Sequence, residues 1–258
     1  MGYDERTITK IKFSKNGAIS VEAGTETLVM SKTVFTNYYL YEGKKITHAE
    51  IVKIKNDIKT DELYKYGLRL ASKMSYSTKE VRDKLKMREN GEEFYKSVIA
   101  RLKKEGFLND EDYAYQYKVE KELGCYGKER IIETLRFEKG IGEDIISKLK
   151  FENEEEHASR FFESIKRKYE KLPYAEKKRK LQEAMKRRGF EDHVASVVLR
   201  GIETNKEKEQ EYLFKVCKSA LTRYKNKYND KDAKRKTIEF LLRKGYSMKD
   251  IYAALEEQ

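Results

Sequence analysis

The sequence predicts a mainly α-helical chain, an elongated tandem array of three-helix repeats behind a small N-terminal β-rich cap. Three observations carry that prediction. Gly140, Gly189 and Gly245 each follow a basic residue at the end of a helix-like run and are followed at once by Ile141, Phe190 or Tyr246. They recur at a spacing of about fifty residues, as expected when one helical unit is repeated along a chain. A single proline, Pro173, in 258 residues leaves few breaks in helical runs, and 40% charged with 38% hydrophobic residues suits helices that bury one face and solvate the other.

The first 45 residues read differently. Ile11 and Phe13 alternate with polar residues, Asn16-Gly17 is a strong hairpin signal, and Ile19 and Val21 alternate on the return strand. A third strand over Glu26 to Met30 and a helix over Ser31 to Tyr41, ended by Gly43, would complete a small covered sheet. Helix punctuation follows. Thr47-x-x-Glu50 and Ser77-x-x-Glu80 are capping boxes, in which side chain and backbone at a helix start satisfy each other's unpaired groups. Leu63 to Met74 places Tyr66, Leu70 and Met74 on one face, flanked by Leu63 and Leu68. Val81, Leu85 and Met87 give the next helix an apolar side, and Phe94, Val98, Ile99 and Leu102 define a third that ends at Gly106.

The same order recurs three times. Asp110 to Leu123, Gly127 to Lys139 and Ile141 to Leu149 form the second unit; Ala158 to Tyr169, Tyr174 to Arg188 and Phe190 to Gly201 the third; Tyr212 to Tyr228, Asp230 to Lys244 and Ser247 to Leu255 the fourth. The expected divisions are a cap over 1–45, a linker helix with the first repeat over 46–108, and repeats over 109–151, 152–202 and 203–258. A glycine able to take positive φ closes the middle helix of each repeat, with Asn90-Gly91 at the matching place in the first. Short helices of this kind bury their apolar faces by stacking on neighbours, which yields a long surface rather than a pocket.

The net charge of +12 is uneven: residues 1–55 carry +3, 56–151 carry +2 and 152–258 carry +7. A basic surface attracts polyanions, nucleic acid or nucleoprotein first among them, although a lysine-rich surface also serves solubility. No apolar run is long enough to span a bilayer and no signal-like segment opens the chain, so a cytoplasmic protein without membrane contact is expected. Cys125 and Cys217 are far apart and outside any CxxC pair, and both read as small buried residues. No phosphate loop occurs, the three histidines share no metal-ligand spacing, and Gly140-Ile141-Gly142 lacks a third glycine. No catalytic residue, metal site or cofactor is therefore assigned, and the carboxylates Asp110, Glu111 and Asp112 read as helix-start residues.

Three blocks carry a resemblance: Ser77-Thr78-Lys79-Glu80-Val81-Arg82-Asp83-Lys84-Leu85, then Leu102-Lys103-Lys104-Glu105-Gly106-Phe107-Leu108-Asn109-Asp110-Glu111-Asp112-Tyr113-Ala114, then Gly127-Lys128-Glu129-Arg130-Ile131 through Leu135 to Lys139-Gly140-Ile141. In this order and spacing they resemble the regulatory protein RecX family, modulators of the RecA recombinase. The likeness is strong over 60–150 and fair over 150–201, and the N-terminal segment and fourth unit resemble the longer form of the family. Gly106, Phe107, Leu108, Asn109 and Asp110 have a structural reading of their own: a helix stop, two core anchors and a helix cap. The resemblance implies a non-enzymatic, monomeric regulator that lies on a RecA filament on single-stranded DNA and restrains its ATPase and strand exchange in recombination, DNA repair and the SOS response. Double-stranded DNA is a further candidate partner. A reading independent of the family is a general basic helical-repeat module for DNA or RNA alone.

The candidate contact residues are the basic clusters of the middle helices. In the cluster Lys177, Lys178, Arg179 and Lys180, the last three precede Gly189 by the same offsets at which Lys234, Arg235 and Lys236 precede Gly245, and Arg187 and Arg188 match Arg243 and Lys244. Lys128 and Arg130 join them from the second repeat. Cations at helix C-termini offset the helix dipole, which accounts for Arg187, Arg188, Arg243 and Lys244; the clusters nearer the helix starts gain nothing from it. Most of the nineteen tyrosines, including Tyr113, Tyr117, Tyr169 and Tyr212, read as packing residues, while Tyr126 and Tyr224, beside basic residues, remain open to base stacking.

Overall fold

The computed structural model describes residues 5–89, 91–202 and 206–256. The chain divides into two compact units, Met1–Ala114 with Lys139–Ile145, and Tyr115–Glu138 with Ile146–Gln258.

The first unit opens with an antiparallel sheet of β1 (Glu5–Phe13), β2 (Ile19–Ala23), β3 (Glu26–Met30) and β4 (Lys45–Thr47), in the order β3-β2-β1-β4. Pairing of Phe13 with Ile19 sets the first hairpin, whose loop turns through Gly17 at φ 82° while Ala18 N–H donates to Asn16 Oδ1. Ile8, Ile19, Val21, Leu28 and Met30 form the buried face. The fourth strand was not expected: three residues are too short to show alternation, and its antiparallel pairing with β1, Arg6 opposite Ile46, is what reveals it. The covering helix α1 (Lys32–Asn37) is shorter than its expected range to Tyr41, because Tyr39 takes a left-handed φ of 48°. Ile51 and Ile54 of the next helix complete the lid beside Val34.

That helix, α2 (His48–Lys73), is one continuous 26-residue element that serves both the cap and the first trio. Its start is the capping box read from sequence: Glu50 N–H donates to Thr47 Oγ1 and Thr47 N–H donates to Glu50 Oε2. Helices α3 (Thr78–Lys86) and α4 (Glu92–Lys104) pack on its second half around Leu63, Val81, Leu85, Val98 and Leu102. The buried stripe of α2 differs from the expected Tyr66, Leu70 and Met74. It passes through Leu63 and Gly67, where an added Cβ would lie 2.9 Å from Leu102 Cδ1, and the missing side chain lets α2 and α4 approach closely. Met74, Met87 and Phe107, expected on packed faces, are exposed. Gly91 caps the start of α4 at φ −67°, so it is not the left-handed stop expected there; Asn90 lies outside the described residues.

Helix α5 (Asp110–Leu123) carries the chain into the second unit. The second middle helix begins as α6 (Lys128–Glu133) and continues as a π-helical turn over Thr134–Glu138, and the third helix of that trio is the single turn α7 (Glu143–Ile146), shorter than expected. The remaining elements of the second unit are α8 (Glu154–Ile165) with a 3₁₀ turn over Lys166–Tyr169, α9 (Tyr174–Arg188), α10 (Asp192–Leu199), α11 (Lys206–Lys225), α12 (Asp230–Arg243) and α13 (Met248–Glu256). Phe162, Leu181, Met185, Phe190 and Val194 pack one core, and Leu213, Cys217, Leu241, Tyr246 and Ile251 another. Cys217 is buried as expected, but Cys125 is only half-buried, in a left-handed turn at φ 53°.

The recurring glycines do more than stop helices. Gly140, Gly189 and Gly245 all take positive φ, and the residue after each one, Ile141, Phe190 or Tyr246, is buried. Each glycine also lies against the start of the preceding middle helix. Gly140 abuts Lys79 within the first unit; in the second unit Gly189 abuts Gly127 and Arg130, and Gly245 abuts Ala175 and Glu176. Middle helices thus meet end to start.

Candidate nucleic-acid interface

Helices α9 and α12 hold most of the candidate residues, and the structure sorts them. Lys178 and Arg179 on α9 and Lys234 and Arg235 on α12 are exposed, as are Arg187 and Arg243 near the helix ends, while Lys180, Lys236 and Lys244 are half-buried. Two residues leave the expected surface. Lys177 is only 9% exposed and sits at a cleft of about 1030 Å³, lined also by Lys166, Arg167 and Glu170. Arg188 turns inward: its guanidinium donates to the carbonyl of Cys125 at 2.9 Å and to that of Gly124, and stacks 3.5 Å from the centroid of Tyr126. It satisfies carbonyls at the end of α5, which a helix terminus otherwise leaves unpaired.

The arginines of the clusters share one arrangement. Arg130, Arg179 and Arg235 each stand ten residues before the glycine of their repeat. Each is exposed and meets a carboxylate on its own helix or the turn that continues it: Arg130 with Glu133 at 2.8 Å, Arg179 with Glu183 at 2.6 Å, and Arg235 with Asp232 at 3.4 Å and Glu239 at 4.0 Å. The hydrogen bond that Arg130 donates to Glu133 holds its guanidinium above its ordinary range. Exposed pairs of this type stabilise a helix only weakly, so they orient the guanidinium at little cost to a competing anion. Lys128 is half-buried, with Nζ 3.1 Å from Glu191.

The open tyrosines resolve differently from one another. Tyr126 is covered by Arg188, whereas Tyr224 is half-exposed beside Arg223, with the ring of Tyr228 tilted against it at 6.3 Å. The sequence reading passed over the cations at the C-terminal end of α3 and just beyond it. The near-neutral balance of residues 56–151 hides Lys84, Lys86 and Arg88, because Glu89, Glu92 and Glu93 follow them closely.

Several residues of the motif blocks make contacts that hold the fold together. Thr78 N–H donates to Asp110 Oδ1 at 2.8 Å, Lys103 pairs with the other oxygen at 3.1 Å, and Asn109 Oδ1 accepts from the amides of Glu111 and Asp112 to cap α5. Glu80 closes the capping box with Ser77 and lies 2.6 Å from Lys139 Nζ, beside Tyr113. Burial pushes the carboxyls of Glu80 and Asp110 up, but Lys139 and the Ser77 amide for the first, and Thr78 and Lys103 for the second, outweigh it and hold both below their ordinary range. Burial pushes Tyr113 up to about 12. Among the described residues no cluster of His, Cys, Asp and Glu has the geometry of a metal site, and no helix is long and apolar enough to cross a membrane.

Residues 207–255 match the family model described as RecX, third three-helix domain. Over 232 residues the chain is 30% identical to the regulatory protein RecX of Bacillus subtilis (strain 168), covering 87% of each protein. The chain belongs to the RecX family. The regulatory protein RecX of Streptococcus agalactiae serotype Ia is 27% identical over 255 residues, which span 97% of this chain and 98% of that relative. A crystal structure of a regulatory protein RecX superposes with a TM-score of 0.65 at 22% identity, covering 75% of this chain and 98% of that one, so the fold is that of a RecX protein.

Proposed function

We propose that this chain regulates homologous recombination by binding the RecA filament on single-stranded DNA and restraining its ATPase and strand exchange, in the cytoplasm, as a monomer and without catalysis. The supporting observation is membership of the RecX family along nearly the whole chain, joined to exposed arginines at one repeat offset in three successive trios. On this reading the chain is a β-rich cap followed by four three-helix repeats, each of which contributes one weak contact. Several weak contacts on a periodic partner multiply into tight binding through effective concentration. The exposed Lys178, Arg179, Lys234 and Arg235 meet DNA phosphates or acidic recombinase surface, and Arg130 and Lys128 extend the track.

The test is ATP hydrolysis by a RecA filament on single-stranded DNA, with and without saturating protein. The reading expects inhibition, and an unchanged rate overturns it. A general nucleic-acid module would instead bind naked DNA or RNA tightly with a steep salt dependence and leave the filament's ATPase unchanged.

A further inference from the structure

The C-terminal half of α3 holds an aromatic and basic cluster that the proposed filament contacts do not use. From Lys79 to Arg88 the chain carries five cations, Lys79, Arg82, Lys84, Lys86 and Arg88, against Glu80 and Asp83. The last three cations each lie over a tyrosine ring of a neighbouring segment. Lys84 Nζ is 5.2 Å from the centroid of Tyr76, Lys86 Nζ is 5.3 Å from that of Tyr95, and the Arg88 guanidinium is 4.7 Å from that of Tyr66. Among the described residues none of these three forms an ion pair; Glu92, whose carboxyl feels Lys86, is itself bound to Lys96 at 2.6 Å. A ring holds a cation in place without neutralising it, so the positive charge stays available to an anion.

Between Lys86 and Arg88 stands Met87, 90% exposed at the C-cap of α3. An unbranched apolar side chain in open water between two uncompensated cations has no role in packing this fold. It matches what a nucleic-acid strand presents: phosphates at intervals with base faces between them. Methionine is among the apolar side chains that proteins lay against or between bases, and ring or apolar contacts to base faces are largely indifferent to sequence.

We propose that the α3 tip is a binding site for single-stranded DNA, with Lys84, Lys86 and Arg88 taking backbone phosphates and Met87 lying against a base. The site belongs to the first unit, whereas the α9 and α12 clusters belong to the second, and it does not depend on a recombinase. An acidic protein surface would satisfy the cations equally but would give Met87 no base to contact.

The test is fluorescence anisotropy with the full chain and a labelled oligo-dT, over a salt series. Substituting Lys84, Lys86 and Arg88 together with Gln is expected to weaken binding at least tenfold and to lower the salt slope by about 2, since each phosphate contact on a single strand contributes roughly 0.7. Met87→Ala is expected to weaken binding several-fold with the slope unchanged. On an oligonucleotide of abasic sites the wild-type chain should drop to the Met87→Ala affinity, and Met87→Ala should lose nothing more. An unchanged affinity and slope in the triple variant overturns the site, equal effects of Met87→Ala on normal and abasic strands overturn the base contact, and losses confined to duplex DNA overturn the single-strand assignment. All four substituted side chains reach solvent, and the ATPase test above reads out separately.

Discussion

The amide of Gly127 donates to the carbonyl of Arg188 at 3.0 Å, and the amide of Glu129 donates to that of Gly189 at the same distance. The unpaired amides at the start of one middle helix thereby meet the unpaired carbonyls at the end of the next. Each terminus satisfies the other, and the partial charges of the two helix dipoles are paired as well. Such a joint needs backbone against backbone. Gly127 and Gly189 allow it, because a Cβ on Gly127 would collide with Gly189 and a Cβ on Gly189 with Arg130.

This sets up a contrast between two glycines of nearly equal conformation. Gly189 and Gly245 have φ of 92° and 91°, but a Cβ at Gly245 would find its nearest neighbours at 3.7 Å, ordinary contact. Gly245→Ala should therefore cost only the left-handed penalty, about 1–2 kcal/mol. Gly189→Ala should cost more, because the α6 backbone must also move. Urea unfolding midpoints of the two variants measure the difference; equal midpoints would show that the joint is loose.

Arg187 and Arg188 are adjacent in sequence and opposite in role. Arg188 binds two carbonyls and covers Tyr126, whereas Arg187 is exposed on the last turn of α9. Arg188→Ala should lower stability by about 2 kcal/mol, the range for hydrogen bonds made by a charged donor. Arg187→Ala should leave the midpoint within about 0.5 kcal/mol, the usual range for exposed positions. Thermal melts of both variants decide the matter.

The helices were legible because their apolar periodicity and caps are local signals. Ser77, Thr47 and the glycines at 140, 189 and 245 act where the sequence placed them. What the sequence hid depends on contacts between distant segments. Gly67 looks like a defect in a helix until Leu102 fills the space beside it, β4 is visible only through its pairing with β1, and the fate of Arg188 is set by carbonyls sixty residues away. The repeat offset was readable, but an offset does not show which cation turns inward. Lys177 and Lys178 are neighbours, yet one is buried and the other is exposed.

Acid should loosen the first trio. Glu80 and Asp110 titrate below their ordinary range in the folded chain, so the unfolded chain holds their protons more tightly. Their stabilisation is complete above the ordinary carboxylate range and is lost as pH falls through about 4 and below. Glu154 runs the other way, since burial pushes its carboxyl up, and its protonation favours the folded state. Unfolding free energy measured from about pH 6 to pH 3 should therefore fall less steeply in Asp110→Asn than in the parent, while Glu154→Gln should not flatten the curve. An Asp110→Asn curve parallel to the parent's would mean that Asp110 ionises alike in both states.

Reversing Lys178, Arg179, Lys234 and Arg235 together to Glu separates recognition from solubility on α9 and α12. All four side chains are exposed, and among the described residues the only ion pairs lost are surface pairs of Arg179 and Arg235, worth a few tenths of a kcal/mol each. The fold should survive with a similar circular dichroism spectrum and melting midpoint. Binding to a RecA filament should fall by more than tenfold, and the remaining affinity should depend less on salt, because fewer counterions are exchanged. A matched reversal of Lys65, Lys96, Lys215 and Lys249, exposed lysines outside these clusters, changes the net charge equally and controls for bulk electrostatics. If both quadruple variants lose affinity alike, the arrangement of charge on α9 and α12 is immaterial; if only the first does, the clusters are the contact surface.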